Sequence, residues 1–371
     1  MNKTPRANRP HIGIFGEINA GKSHLFNALT GSDTAIVSNT PGTTTDPVFK
    51  SMELIPAGPV VFIDTAGIDD DSDLGRKRIE KTMKVLNRVD LALFVKNPSE
   101  SEKSNTVYND FKSLMEERDI PYIVAEREDT VDEIKKSIID HLSQIKPETE
   151  TMIGDLLPQG SSVLVIIPSD SAAPKGRLIL PQSQLIRDCL DHDIAVHVVN
   201  LNNIQSTMQN IKTIDLVITD SQIFDRVASL IPQDIKLTSF SILMARQKGD
   251  ITELTKGINA VKGLRGGDKI LIAEVCTHNR THEDIGRVKI PAALQKITGM
   301  SFDFDFAAGG DFPGSLSEYA LIVHCGGCMV TKRDIINRIK KAKSNNVPIT
   351  NYGLLLAYAS GILERSMEVL N

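Results

Sequence analysis

Gly16-Glu17-Ile18-Asn19-Ala20-Gly21-Lys22-Ser23 fits GxxxxGK[ST], preceded by the apolar run 11–15 and followed by the helix-forming run 22–29. A turn of this composition lets backbone N–H groups converge on phosphate oxygens, with a helix N-terminus behind them. That requirement commits the chain to a strand–loop–helix unit in a parallel sheet, and so to the α/β class. The residues that follow repeat the alternation. Short apolar runs at 60–64, 91–95 and 121–125 predict buried parallel strands, with another strand at 49–55. Helices are expected over 22–29, 76–86 and 105–117. Val131, Ile134, Ile138, Leu142 and Ile145 recur at three-to-four spacing and predict an amphipathic helix over 131–145.

A polar stretch at 146–151 that includes Pro147 marks a first boundary, giving a domain over 1–150. A second α/β segment, 151–245, carries strands at 163–167, 195–199 and 216–219 and helices at 182–191 and 221–230. It holds no catalytic cluster, and assembly, most simply dimerisation, is the expected role. A third segment, 246–371, carries strands at 269–275 and 320–323 and helices at 285–296, 331–343 and 354–370. The fold expected is an N-terminal phosphate-loop domain with a parallel sheet, followed by two smaller α/β domains.

At the phosphate loop, Lys22 reaches the terminal phosphates and the Ser23 hydroxyl ligates Mg²⁺. Asp64-Thr65-Ala66-Gly67 ends a strand, where Asp64 can hold Mg²⁺ through water and the Gly67 N–H can meet a γ-phosphate. Between them, 41–47 is a Gly/Pro-bounded loop with three adjacent threonines, suited to a segment that orders on metal and γ-phosphate. In this order and spacing the motifs resemble the GTPases of the Era and TrmE type, a likeness that implies Mg²⁺ binding by one of the three threonines, Thr44. That resemblance implies GTP as substrate, with Gly16, Asn19, Ala20, Gly21, Lys22, Ser23 and Gly67 around the nucleotide. It further implies K⁺ beside Asn19, and slow unaided hydrolysis because Ile68 stands where Ras-like proteins carry a water-orienting Gln. The guanine-reading N-K-x-D slot is altered to Glu126-Arg127-Glu128-Asp129, which keeps only Asp129. No room is left for a sixth strand before the closing helix.

The last third carries a second constellation. Cys276-Thr277-His278 follows one expected strand, and His324-Cys325-Gly326-Gly327-Cys328 follows another. If those strands are parallel neighbours, the five side chains meet at one carboxyl edge, where open α/β sheets place ligands. Three thiolates can hold a [4Fe–4S] cluster and leave one iron for His278, His324, Glu283, a neighbour of Glu283 (His282 or Asp284) or an exogenous ligand. A structural Cys₃His zinc site uses the same residue types, and unligated core cysteines are a further reading. Cys189, alone in sequence, reads as a core residue.

A phosphate-loop GTPase followed by Cys-x-His…His-Cys-x-x-Cys resembles HydF, the maturation GTPase family of [FeFe]-hydrogenase. The likeness extends through 170–182 and 285–291. It implies a GTPase domain, a dimerisation domain and a [4Fe–4S] domain in which Cys276, Cys325 and Cys328 hold the cluster, with His278 and His324 as ligands or tuning groups. It also implies a carrier that receives a di-iron CO/CN⁻ precursor made with two radical-SAM maturases and delivers it to apo-hydrogenase. The competing readings are a ribosome- or tRNA-associated GTPase with structural zinc, and a nucleotide-dependent redox enzyme. A formal net charge of −5 disfavours a nucleic-acid partner. No apolar run reaches the roughly 20 residues of a membrane span, and residues 1–6 lead into no apolar signal core, so a cytoplasmic protein is expected.

Overall fold

Apolar runs of four to seven residues account for four of the five strands described in the first unit, which spans Met1–Glu148. In a computed structural model, residues 6–31, 46–69, 73–97, 101–126, 128–144, 151–168, 178–275, 285–309 and 312–370 are described. In chain order the first unit has β1 (His11–Gly16), α1 (Lys22–Thr30), β2 (Val48–Leu54), β3 (Gly58–Asp64) and α2 (Asp73–Leu86). It continues with β4 (Leu91–Val95), α3 (Glu102–Glu117), β5 (Tyr122–Ala125) and α4 (Val131–Gln144). The strands lie in the order β2-β3-β1-β4-β5. All neighbours are parallel except β2, which runs antiparallel to β3.

The inner strands β1, β3 and β4 are buried on both faces, as their apolar runs require, while the edge strand β2 is partly exposed. Ile12, Ile14, Phe62 and Leu93 face Phe26 and Leu29 of α1 and Ile134 and Ile138 of α4. Val61, Ile63 and Phe94 face Leu86 of α2 and Phe111 and Met115 of α3. The connection leaving β1 leads to the β2–β3 side of the sheet and the one leaving β3 leads to β4 on the other side, so the two diverge at the carboxyl ends of β1 and β3. The phosphate loop sits at that point.

The second unit, Thr149–Asn371, has two four-stranded parallel sheets. The first contains β6 (Ser162–Ile166), β7 (Ala195–Val199), β8 (Leu216–Thr219) and β9 (Lys236–Ser239), ordered β7-β6-β8-β9. Its helices are α5 (Leu180–Asp191), α6 (Ile204–Asn210), α7 (Phe224–Leu230) and α8 (Phe240–Lys248). After α9 (Ile251–Ala260) come β10 (Lys269–Glu274), a π-helical turn at Ile285–Lys289, α10 (Ile290–Thr298), β11 (Asp303–Ala308) and β12 (Leu321–His324). Then follow α11 (Lys332–Ser344), β13 (Ile349–Asn351), α12 (Tyr352–Ala359) and α13 (Leu363–Met367). This second sheet is ordered β11-β10-β12-β13.

One continuous core joins the two sheets, from Leu164 and Val217 through Leu254 and Ile258 to Ile272 and Val323. The boundary expected at 245 falls inside α8, which runs on to Lys248. Three strands (β9, β11, β13) and three helices (α6, α8, α9) were not foreseen. The single helix expected over 354–370 is a correction: it breaks at Gly361 (φ +70°), where the left-handed backbone ends a helical run.

Candidate functional site

The phosphate loop is shaped by backbone that only certain residues tolerate. Gly16 leaves β1 at φ +147°, and a Cβ there would stand 2.5 Å from the Val95 carbonyl oxygen. Asn19 (φ +61°) and Gly21 (φ +92°) turn the chain back into α1. Opposite, Gly67 packs against Ile18, and a Cβ on it would lie 2.6 Å from that side chain. The Ile68 N–H donates to the Gly16 carbonyl at 3.3 Å, tying the Asp64–Gly67 turn to the loop.

Lys22 is buried at the head of α1, and its Nζ donates to the Glu17 carbonyl at 2.5 Å. Burial pulls its pKa down to about 8, against the opposing pull of Asp64, Asp69 and Glu17. Ser23 Oγ donates to Asp64 Oδ2 at 2.6 Å. Asp64 is fully buried, and its Oδ1 has no hydrogen-bond partner among the described residues. Burial raises its pKa, moderated by Ser23 and Lys22. A buried carboxylate oxygen with no bonding partner, beside a hydroxyl, is the donor set that suits a hard divalent cation. Ser23 and Asp64 therefore fit Mg²⁺.

Asn19 and Asp129 are both exposed. Asp129 closes a small turn by accepting from the Glu126 N–H at 2.7 Å. Among the described residues the sheet stops at β5, in line with the missing sixth strand. Thr44 lies outside the described residues. Glu17 was missed by sequence reasoning because its position in the motif is unspecified. Its buried carboxylate accepts from Asn97 Nδ2 at 3.2 Å and from Ser104 Oγ, linking the loop to the ends of β4 and α3.

In the second unit, β10 and β12 are parallel neighbours, with Ala273 opposite His324. The Cys325 N–H continues the ladder to the Ala273 carbonyl at 2.9 Å. Val275, the last described residue before Cys276, donates its N–H to Cys325 Sγ at 3.3 Å. Gly327 takes φ +66° so that the chain can turn between Cys325 and Cys328. Burial pushes the Cys325 thiol up to about 11, opposed by the N–H groups of Val275 and Gly327. Donors already directed at the sulfur suit a thiolate bound to iron. Cys325, His324, Gly326, Met244 and Asn351 line a small, largely enclosed cleft of about 10 Å³, room for roughly one water. Cys276 and His278 lie outside the described residues, as do His282, Glu283 and Asp284. Among the described residues no three His, Cys, Asp or Glu side chains form a metal group.

His324 has a partner for each ring nitrogen. Arg338 Nη1 lies 3.2 Å from Nε2, and the Cys325 carbonyl lies 2.6 Å from Nδ1. Because arginine only donates, Nε2 accepts and the proton sits on Nδ1. Burial, reinforced by Arg338, lowers its pKa to about 4, so the ring is neutral. Arg338 is anchored by Asp334 at 3.0 Å and the Gly309 carbonyl at 2.8 Å. His324 in this arrangement braces the cysteine loop rather than aiming a lone pair into the cleft. Cys189 is a core residue, its thiol pushed up to about 12 by burial.

Three family models match this chain. Residues 11–128 match one described as a 50S ribosome-binding GTPase. Residues 152–249 match the hydrogen maturase F dimerization domain, and 252–369 its tetramerization domain. GTPase Der of Wolinella succinogenes is 45% identical over 87 residues, which is 23% of this chain and 18% of that protein. The tRNA modification GTPase MnmE of Chromobacterium violaceum is 45% identical over 86 residues, 23% of this chain and 19% of that protein. The chain thus spans about a fifth of the length of these curated relatives. Among solved structures, Aquifex aeolicus Era bound to GDP·AlF₄⁻ aligns over 81% of this chain and 92% of its own at 16% identity, with a TM-score of 0.28.

The first unit and its loop define a phosphate-loop GTPase, here joined to two further parallel α/β sheets. The two matched domains of the second unit are specific to one group of such proteins. This chain belongs to the hydrogen maturase F (HydF) family. Both of its non-GTPase domains are self-association domains by family, where the sequence alone suggests that role for the middle segment only.

Proposed function

We propose that this hydrogenase-maturation GTPase is a metallocofactor scaffold. In this reading Cys276, Cys325 and Cys328 hold a [4Fe–4S] cluster, and the chain receives a di-iron CO/CN⁻ precursor as cargo. The observation that carries it is the placement of Cys325 at the joined carboxyl ends of β10 and β12, its sulfur already facing a backbone donor. The cluster supplies an iron with one position open to an exogenous ligand. The chain's own part is to present thiolates from two strand ends, with His324 holding the Cys325 carbonyl in place.

At the GTPase unit, Lys22 and the N–H groups of the loop receive the phosphates, while Ser23, Asp64 and Thr44 hold Mg²⁺. The ion supplies charge neutralisation at the β- and γ-phosphates. K⁺ beside Asn19 adds to this, and Asp129 reads the base. Turnover is slow and acts as a switch on partner contacts. The partners are two radical-SAM maturases, apo-[FeFe]-hydrogenase and further copies of this chain, in the cytoplasm.

The test is iron, sulfide and zinc per chain after anaerobic reconstitution, on the parent and on Cys325→Ser and Cys328→Ser. About four iron and four sulfide in the parent, lost in both variants while GTP turnover persists, is the expected result. One zinc and no iron taken up would sink the scaffold reading in favour of a structural site.

A further inference from the structure

We propose that Lys248 is a positioning and charge-compensating residue through which α8 sets the reduction potential of the cluster held by the Cys325–Cys328 loop. The proposal rests on the cluster reading above. Lys248 is the last residue of α8 and only 5% exposed. Its Nζ donates to the Cys328 carbonyl at 3.2 Å and to the Val330 carbonyl at 3.0 Å. Both acceptors belong to the cysteine loop or its exit, so a buried positive charge is fixed against the backbone of an expected ligand.

The other end of α8 touches the same loop. A Cβ on Gly326 would stand 3.5 Å from Ser241 Oγ. Asn351, at the end of β13, donates to the Ser241 carbonyl at 2.9 Å and caps α12 through Leu354 N–H at 2.9 Å. α8 therefore spans the loop, with Ser241 near its first glycine and Lys248 under Cys328. On the His324 side of the loop Arg338 is paired with Asp334, and its charge also acts on Cys325, so Lys248 adds to a positive field the loop already has.

Moving an ammonium out of water is unfavourable. Charge-assisted hydrogen bonds to two carbonyls offset part of this. A thiolate-ligated cluster is anionic and gains a further negative charge on reduction, so a fixed cation beside it favours the reduced form. Without the charge, the cluster should be harder to reduce.

The experiment uses the full chain, reconstituted with iron and sulfide, as parent, Lys248→Arg, Lys248→Gln and Lys248→Met. Metal content is measured first, then the midpoint potential by EPR-monitored titration. Lys248→Met and Lys248→Gln are expected to disfavour reduction by about tenfold, a downward shift of about 59 mV for a one-electron couple. Lys248→Arg should stay near the parent. An unmoved potential in cluster-loaded Lys248→Met overturns the proposal. Should Lys248→Met fail to hold the cluster, Lys248→Gln, which keeps a donor without the charge, decides on the same criterion. A parent that takes up no iron instead defeats the cluster reading itself, before any variant is compared.

Discussion

Lys22, Asp64 and Glu17 are charged side chains held out of water around a single loop, and each is kept there by a specific partner. His11, at the start of β1, the strand that leads into that loop, shows what such burial does to stability. Its Nδ1 contacts the Arg9 carbonyl at 2.8 Å, and burial lowers its pKa to about 4 from 6.5. The unfolded chain therefore binds a proton in a range where the folded one does not. Stability falls as pH drops from 6.5 towards 4, by on the order of 3 kcal/mol from this group. Urea unfolding of the first unit across that window, read by hydrogen exchange at β1, should show a steeper loss in the parent than in His11→Gln. Equal slopes would count against His11 as the source. The Lys22–Ser23 pair was legible in the sequence because the motif names those positions. Glu17 was not, since the motif leaves its place open and its partners Asn97 and Ser104 lie far along the chain.

Among the elements, the strands and helices with a clear period or flanking breakers were foreseen nearly to the residue, β4, β7 and β8 among them. α8 was missed for a physical reason. Leu243 and Met244 pack into one core while Ile242 and Ala245 pack into another, so it lacks the polar face that marks a surface helix. β13 escaped because three residues are too few to show alternation. α9 packs on β13 through Gly257, where a Cβ would lie 2.0 Å from the Ile349 carbonyl oxygen. Gly257→Ala should therefore destabilise the second unit by about 1–3 kcal/mol, through overpacking, despite alanine's better helix propensity. A lowered thermal midpoint of that unit is the check, and an unchanged or raised one would show that α9 can shift freely.

At the scale of the whole molecule, the chain divides at 148–149 into two units, each with its own sheets and cores. Fragments 1–148 and 149–371 are therefore expected to fold separately. The first should bind nucleotide, and the second should self-associate and take up iron. Size-exclusion chromatography and nucleotide binding on the two fragments would test this, and an unfolded second fragment would show that the units are interdependent. The two sheets of the second unit are a different case. Their shared core and the helix α8 running through the expected boundary argue against cutting at 245.

Read alone, the sequence determined the α/β class, the phosphate loop, the position of Asp64 and the cysteine–histidine motif. These depend on local spacing, because a turn that must wrap a phosphate or aim two thiols at one centre constrains consecutive residues. Tertiary structure alone decided that β10 and β12 are neighbours, that His324 is braced by Arg338, and that Lys248 reaches under Cys328. Those contacts join residues 14 to 80 positions apart. Their partners are chosen by strand order and by the burial of charge, and no local pattern records either.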